Sequence, residues 1–192
     1  MSFRLATLSL LTALSISGAA RAQTTQDFDV VATIPSVCAL EAPTLSGGPS
    51  INFRGLNGTT LEVDQLTDPR TLATRAASAR VTFAAVCSFP HTLVLESESN
   101  GLWRGIGASA PSGFADAVPY DAELTWGPVR ERLRADAISR RINQLNVTVD
   151  EAVAGEIIVD LGIQAGASNA RANAPLIAGS YQDTIRITLE PQ

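Results

Sequence analysis

Residues 79–87 read ARVTFAAVC, and this stretch decides the fold class. Every second residue from Val81 to Cys87 is apolar, the period-two pattern of a β-strand with one buried face. Shorter segments elsewhere alternate in the same way or lie between turn residues, and we expect 92–96 to pair with 79–87. The other predicted strands are 27–34, 50–54, 59–63, 120–126, 145–149, 157–163 and 181–189. Many short strands separated by turns predict an all-β sandwich.

Residues 129–142 are the one segment that departs from this pattern. The segment is rich in arginine, and Leu133, Ala137 and Ile138 fall near helical spacing. A short surface helix is therefore predicted, with an arginine-rich hairpin as the alternative.

The composition limits the chemistry of this chain of 192 residues. All 14 basic residues are arginine, so Schiff-base lysines and the lysine of a phosphate-binding loop are excluded. A single histidine, His91, excludes a histidine-rich metal cluster. The net charge of −5 argues against nucleic acid or anionic lipid as the main partner.

Residues 1–22 have the pattern of a secretory signal peptide. Arg4 precedes an apolar stretch at 5–17, and Ala20-Arg21-Ala22 forms a small-x-small cleavage site. The apolar stretch is too short to span a bilayer, so no membrane insertion is expected. Cleavage leaves 12 arginines against 19 acidic residues, a formal charge of −7.

Export makes the two cysteines informative. Cys38 and Cys87 are the only ones in the chain, and an oxidising compartment is expected to join them as a structural disulfide. Two buried free thiols or a two-cysteine metal site are the alternatives, and neither has supporting ligands nearby.

No catalytic or metal site is predicted, and we expect the protein not to be an enzyme and to need no cofactor. His91 follows Pro90 in a predicted turn, where a solvent-facing side chain is expected, and no nucleophile elbow is present. Three pairs of acidic residues at i, i+2 spacing are interpreted as solvated strand faces, namely Glu62/Asp64, Glu96/Glu98 and Asp121/Glu123. Trp103, Tyr120 and Trp126 could form a sugar-stacking platform, but two of them lie on a predicted core strand.

The two ends of the mature chain suggest how it assembles. Residues 28, 30, 32 and 34 place apolar side chains on one face of an N-terminal strand, and the chain ends in a second alternating strand at 181–189. An exposed last strand beside an uncovered core would be prone to aggregate. A strand supplied by another chain would cover it, as in β-strand addition.

In the order and spacing of its motifs, the chain resembles the pilin subunits of the archaic (Csu-type) chaperone–usher pathway, also called spore coat protein U domains. The N-terminal strand leading to Cys38 and the strand carrying Cys87 are similar to those of the family. Asn52-Phe53-Arg54-Gly55 looks like its Phe-Gly element with an inserted arginine. Further similar elements are Tyr120 with Trp126-Gly127, and AGSYQDTI at 178–185.

The resemblance implies an incomplete immunoglobulin-like β-sandwich at 36–192, preceded by an N-terminal donor-strand extension at 23–35. Phe28, Val30, Ala32 and Ile34 would be the donor side chains for a neighbouring subunit. The residues bordering this subunit's own groove would be Tyr181, Ile185, Ile187 and Leu189.

The resemblance also implies a function and a set of partners. The protein would be a structural subunit of a surface pilus, exported to the periplasm and assembled head-to-tail on the cell surface. A periplasmic chaperone and an outer-membrane usher would be its partners, together with neighbouring pilins. A self-complemented monomeric binding module, such as a carbohydrate-binding sandwich, and a coat protein are the alternatives.

Overall fold

The computed structural model describes residues 25–192 except 46, 49 and 106–108. The predicted signal peptide at 1–22 lies outside the described residues. The chain divides into two units, residues 1–34 and 35–192. Residues 25–34 of the first unit have no assigned secondary structure. The second unit is built from β-strands, and nowhere in the described ranges does a helix occur that could cross a membrane.

The strands of the second unit are β1 (Cys38–Leu40), β2 (Thr44–Leu45), β3 (Phe53–Asn57), β4 (Thr60–Val63), β5 (Ala77–Cys87), β6 (His91–Ser97), β7 (Leu102–Arg104), β8 (Ala117–Val118), β9 (Tyr120–Trp126), β10 (Val129–Ala135), β11 (Asn143–Val149), β12 (Val153–Ile163), β13 (Tyr181–Gln182) and β14 (Ile185–Pro191). The segments predicted at 50–54, 59–63, 79–87, 92–96, 120–126, 145–149 and 157–163 each overlap a strand of the second unit, whereas β2, β7, β8 and β10 were not predicted as strands.

Two antiparallel sheets enclose the core. The main sheet has the order β1-β5-β12-β9-β10, and β2 also pairs with β5. The second sheet has the order β11-β6-β14. A hairpin, β3-β4, and a small sheet, β13-β7-β8, complete the unit. The all-β sandwich predicted from the alternation is therefore confirmed.

Inward-facing side chains of both sheets form one apolar core. Leu93 and Leu95 of β6 are fully buried, as are Leu124 of β9 and Ile157 of β12. Along β5, Val81, Ala85 and Cys87 are buried on the same inner face. Alternate burial along each strand explains why a period-two sequence pattern predicted the sheets.

The predicted pairing of residues 79–87 with 92–96 is wrong. β5 pairs with β1, β2 and β12, whereas β6 pairs with β11 and β14 in the other sheet. Three residues, 88–90, connect the two strands. Because β5 and β6 both contribute side chains to the common core, this short connection crosses from one sheet to the other and reverses the chain direction.

The predicted surface helix at 129–142 is also wrong. β10 pairs with β9 along its whole length, from Val129 opposite Trp126 to Ala135 opposite Tyr120. The arginine-rich hairpin, which was the alternative, is the structure that forms. Its arginines occur at every second residue from Arg130 to Arg134, so they share the outer face of the sheet.

Arginines on the outer face of the main sheet pair with acidic residues on neighbouring strands. Arg130 and Arg132 both form ion pairs with Glu123 of β9. On β12, Asp160 lies opposite both Glu123 and Arg80, and it receives two hydrogen bonds from Arg80 at 2.7 and 2.8 Å. The outer face of the main sheet therefore carries a row of four side chains that crosses the strands. In order across the sheet they are Arg80, Asp160, Glu123 and Arg132, so the two acids lie between the two arginines.

Arg54 is the extra residue of a β-bulge in the β3–β4 hairpin. Phe53 lies opposite Val63 and Gly55 opposite Glu62, so Arg54 has no partner residue in the register. Its guanidinium pairs with Asp64 at 3.0 Å and Glu62 at 3.7 Å. The bulge thus accommodates Arg54, and two carboxylates on the strand face hold its guanidinium.

Candidate strand-acceptor edge

The last strand lies at an edge of the second sheet. Among the described residues, β14 pairs only with β6. Ile185, Ile187 and Leu189 lie opposite Ser97, Leu95 and Leu93 in the register. Opposite residues of an antiparallel pair point to the same face, so these three side chains point toward the core. They are only half-buried, whereas their partners on β6 are fully buried.

The backbone of β14 offers hydrogen-bonding groups along the same edge. The N–H of Glu98 donates to the carbonyl of Thr184 at 2.9 Å, which fixes the even-numbered residues as those bonded toward β6. The N–H and C=O groups of Ile185, Ile187 and Leu189 therefore point away from β6. Pro191 has no N–H, so the donors on this edge end at Leu189.

The first strand forms the corresponding edge of the main sheet and lies next to β14. Leu40 is opposite Ala85 and Leu45 is opposite Val81, so both leucines face the core. Leu40 nevertheless leaves 37% of its surface exposed. Phe83 of β5, which also has the inward parity, is only half-buried.

Together these features define an apolar open edge between the two sheets. We call it the open edge, and it consists of Leu40, Leu45, Phe83, Ile185, Ile187 and Leu189. The sequence predicted its β14 side and missed its β1–β2 side. The alternation of apolar residues that would have indicated the β1–β2 side is interrupted in the sequence. The register of pairing with β5 slips by one residue between Leu40 and Thr44, so inward-facing residues do not stay at every second position.

Tyr181 is not part of this edge. It lies on β13, opposite Arg104 of β7, and its hydroxyl donates to the carbonyl of Ile177 at 2.7 Å. The expectation that residues 181–189 form one strand is wrong because the chain breaks at Asp183 and Thr184. Burial raises the pKa of the Tyr181 hydroxyl.

Asp183 occupies this break and fixes the start of β14. Its carboxylate accepts hydrogen bonds from the hydroxyls of Ser97 at 2.6 Å and Tyr120 at 2.8 Å. It also accepts backbone N–H groups of Ser99 at 2.9 Å, Gly101 at 3.1 Å and its neighbour Thr184 at 2.8 Å. Five hydrogen bonds satisfy a partly buried carboxylate without a cationic partner among them.

Tyr120 contributes to this cluster from the main sheet. Burial, reinforced by the negative charge of Asp183, raises the pKa of its hydroxyl well above its ordinary value. The neutral hydroxyl is therefore maintained as a donor. The sequence alone did not indicate that Tyr120 and Asp183 meet, because they lie 63 residues apart in the chain.

A disulfide closes one end of the open edge. Cys38 and Cys87 lie directly opposite each other on β1 and β5 and are joined, as predicted. His91 lies close to both sulfur atoms. A two-cysteine metal site does not form here, because the cysteine sulfurs are bonded to each other.

His91 is fully buried, so the prediction of a solvent-facing turn histidine is wrong. Its Nε2 accepts a hydrogen bond from the indole N–H of Trp126 at 2.8 Å. Its Nδ1 lies 2.9 Å from the carbonyl of Phe89, to which it donates in the neutral tautomer. Both ring nitrogens are thus used in packing the core.

The three aromatic residues considered for sugar stacking do not share a surface. Tyr120 and Trp126 are buried, as the core-strand prediction stated. Trp103 is half-buried; its indole N–H donates to the carbonyl of Ser99 at 2.6 Å, and the guanidinium of Arg140 lies 5.4 Å from its ring centre. Arg140 therefore occupies one face of the only ring of the three that is accessible.

The proposed donor residues belong to the N-terminal unit and are exposed. Phe28 and Val30 each expose 83% of their surface and Ile34 exposes 85%, and Ala32 is also exposed. No model of a known protein family matches this chain, and no curated protein matches it significantly.

Proposed function

We propose that this protein is a structural subunit of a surface fibre, in which residues 27–34 of one copy fill the open edge of the next. The observation that supports this proposal best is the open edge itself. There, three half-buried apolar side chains and their backbone hydrogen-bonding groups lie on the same strand, β14. An added strand would bury the side chains and pair the backbone in one step.

The N-terminal segment has the matching pattern. Phe28, Val30, Ala32 and Ile34 share one face of an extended chain, as do the three inward residues of β14. Seven extended residues span about 20 Å, which is enough to cover the edge from Ile185 to Leu189. A link from each copy to the next is head-to-tail and does not close, which is the symmetry of a filament.

The resemblance to archaic chaperone–usher pilins supplies the rest of the proposal. A periplasmic chaperone would cover the open edge during export, and an outer-membrane usher would direct the exchange for the donor segment. The assembled protein would then lie on the cell surface. The role is structural and involves no catalysis.

Two adjacent valines provide a matched test. Val30 and Val31 are each 83% exposed, but they point to opposite faces of an extended segment. The Val30→Asp change would forfeit the roughly 1.5–3 kcal/mol gained by burying a valine and would also bury a carboxylate. The Val31→Asp change would leave its carboxylate in water.

The measurement is gel electrophoresis of residues 23–192, unboiled and boiled in detergent, after co-expression with a matching chaperone and usher. We expect a heat-sensitive ladder for the wild type and Val31→Asp, and monomer for Val30→Asp. A folded wild-type monomer with no ladder would contradict the proposal and favour the self-complemented binding module. Equal ladders from both valine variants would contradict the donor role of Val30.

A further inference from the structure

We propose that one end of the sandwich docks onto an anionic lipid bilayer, where exposed isoleucines enter the headgroup region and exposed arginines bind lipid phosphates. We call this end the loop end, and it consists of the connections at 64–76, 98–105, 109–119, 136–142 and 164–184. The proposal goes beyond the proposed function, because it requires neither the N-terminal segment nor the open edge.

The strand register gathers these connections at the same end of the second unit. In three ladders, the terminal residue pair lies where these connections begin or end, namely Ala135–Tyr120, Ile163–Ala77 and Asn143–Ser97. The N–H of Leu176 donates to the carbonyl of Leu72 at 2.9 Å, and the N–H of Ala115 donates to the carbonyl of Pro175 at 2.9 Å. Three of the connections therefore hold one another in place.

The loop at 136–142 is held by Asn100, which is fully buried. The side-chain N–H group of Asn100 donates to the carboxylate of Asp136 at 2.5 Å, and its side-chain oxygen accepts a hydrogen bond from the side chain of Asn143 at 2.8 Å. The N–H of Ala137 donates to the carbonyl of Asn100 at 2.8 Å. Both ends of the loop are thus fixed on one buried residue, which presents the middle of the loop to solvent in a defined conformation.

The loop end also contains unfavourable backbone conformations. Leu72, Asn100, Ala137 and Asn173 have left-handed backbone, with φ between 54° and 60°. For leucine and alanine this conformation is sterically costly, and it persists only where the surrounding structure enforces it. Such residues concentrate in segments that bind other molecules.

Large apolar side chains are exposed at this end. Ile138 exposes 79% of its surface and Ile142 exposes 59%, and both belong to the loop that Asn100 holds. Leu72 and Phe114 are exposed in two of the other connections. Exposed apolar side chains on a preorganised surface indicate a binding site for an apolar or amphipathic partner.

The charges at the loop end are arranged with arginine outermost. The described residues of the loop end include six arginines and six acids, so the charge of −7 of the mature chain lies elsewhere. Four of the acids are half-buried and accept hydrogen bonds within the fold, namely Asp68, Asp116, Asp136 and Asp183. Five of the arginines are exposed, namely Arg70, Arg75, Arg140, Arg141 and Arg171.

The two arginines between Ile138 and Ile142 retain donors for a phosphate. One N–H group of Arg140 donates to the carbonyl of Arg104 at 3.0 Å, and one N–H group of Arg141 donates to the carboxylate of Asp136 at 3.4 Å. A guanidinium carries five N–H donors in a fork that fits phosphate oxygens. Each of these arginines can therefore bind a phosphate without losing its contact in the fold.

An anionic bilayer matches this combination of side chains. Isoleucine gains free energy by entering the boundary between headgroups and acyl chains, and arginine extends its charge to the phosphates above it. A soluble acidic polysaccharide would bind the arginines but would leave the isoleucines in water. The negative charge elsewhere on the chain is screened beyond about 8 Å at physiological ionic strength, so it does not prevent this contact.

The test is co-sedimentation of residues 23–192 with vesicles of equal amounts of phosphatidylcholine and phosphatidylglycerol, compared with vesicles of phosphatidylcholine alone. We expect binding to the anionic vesicles, weakened by about thirtyfold in Arg140→Gln/Arg141→Gln, since each arginine near the surface contributes about fivefold. Arg130→Gln/Arg132→Gln is the matched control, because it removes the same charge from the outer face of the main sheet. It should bind like the wild type.

A second pair of variants tests the apolar contribution. Ile138→Ser/Ile142→Ser should weaken binding on the order of tenfold or more, because apolar area is then no longer removed from water. Val37→Ser/Val86→Ser is its control, since both valines are exposed and lie at the other end of β1 and β5. The N-terminal segment is the same in all variants, so differences in binding report the loop end.

A measurement on the wild type locates the contact directly. Trp103 lies under the guanidinium of Arg140, with 5.4 Å from the guanidinium carbon to the ring centre, whereas Trp126 is fully buried. Brominated phosphatidylcholine in the anionic vesicles should therefore quench the fluorescence of Trp103, and Trp103→Phe should abolish this quenching. Bound protein without quenching would overturn the proposal, because the loop end would then face away from the lipid.

Three other outcomes would also overturn the proposal. They are no sedimentation with the anionic vesicles, equal binding to both kinds of vesicle, and equal binding of the wild type and Arg140→Gln/Arg141→Gln. Binding to immobilised dextran sulfate without binding to vesicles is a form of the first outcome and would assign the loop end to a soluble polyanion. The electrophoretic ladder is measured separately, so failure of this proposal leaves the proposed function standing.

Discussion

The carboxylate of Asp183 accepts the hydroxyl hydrogen of Tyr120 at 2.8 Å, and this bond joins the start of β14 to β9 of the opposite sheet. The same carboxylate oxygen accepts the Ser97 hydroxyl at 2.6 Å. The position of the open edge therefore depends on a polar cluster at its end. It does not depend only on the ladder between β14 and β6.

Replacing Asp183 with alanine should destabilise the fold by about 3 kcal/mol, because several partly buried donors lose their acceptor together. Tyr120→Phe should cost about 1 kcal/mol. The two changes should be strongly non-additive, since each removes the same bond. Urea unfolding of the two single variants and the double variant measures this coupling, and additive losses would contradict the shared role.

The alkaline limit of stability should depend on Tyr120. Its pKa is raised in the folded protein, so folding favours the neutral hydroxyl. The stabilisation of the folded state by the neutral Tyr120 hydroxyl is complete below the tyrosine pKa of the unfolded chain, about 10. Above that pH the free energy of unfolding falls by up to about 1.4 kcal/mol per pH unit. Unfolding midpoints between pH 8 and pH 11 should fall less steeply for Tyr120→Phe than for wild type. Parallel curves would argue against the prediction.

Removing the disulfide should cost about 4 kcal/mol in the chain-entropy model, because it closes a loop across a sequence separation of 49. The double variant Cys38→Ser/Cys87→Ser is compared with wild type by urea unfolding. Wild type in reducing agent is the control and should approach the double variant. An unchanged midpoint would show that the β1–β5 pairing suffices without the covalent bond.

His91→Leu should destabilise the core by roughly 2 kcal/mol, because the buried indole N–H of Trp126 loses its acceptor. Adding Trp126→Phe removes the unpaired donor, so the double variant should lose less than the sum of the single losses. Chemical unfolding followed by circular dichroism avoids the change in tryptophan signal. A His91→Leu variant as stable as the wild type would mean that the hydrogen bond contributes little to stability.

The sequence predicted the strands well where one face is buried. Val81, Ala85 and Cys87 alternate in the chain and are buried in the structure, since period-two burial depends on local geometry. The pairing of strands depends on contacts distant in the chain, and this is why β5 and β6 were wrongly placed side by side. His91 was misplaced for the same reason, because Trp126, which satisfies its ring, is 35 residues away.

The arginine-rich stretch shows a different limit. Arg130, Arg132 and Arg134 alternate strictly, which was a strand signal, but the apolar residues between and after them also fit a helical spacing. Pairing with Glu123 on β9 favours the strand, and that partner is not visible in the segment itself. Likewise, Leu40 and Leu45 differ in parity along the chain, and only the one-residue slip against β5 places both on the inner face.

The cross-strand disulfide also determines how the molecule carries mechanical tension. A pull on residues 25–34 reaches Cys38 after only a few residues and enters β1, an edge strand that would otherwise peel from its neighbour one hydrogen bond at a time. The covalent link transfers that load to β5, which is paired with β12 over eleven residues. Tension applied at the N-terminus is therefore resisted in shear by the longest ladder of the main sheet.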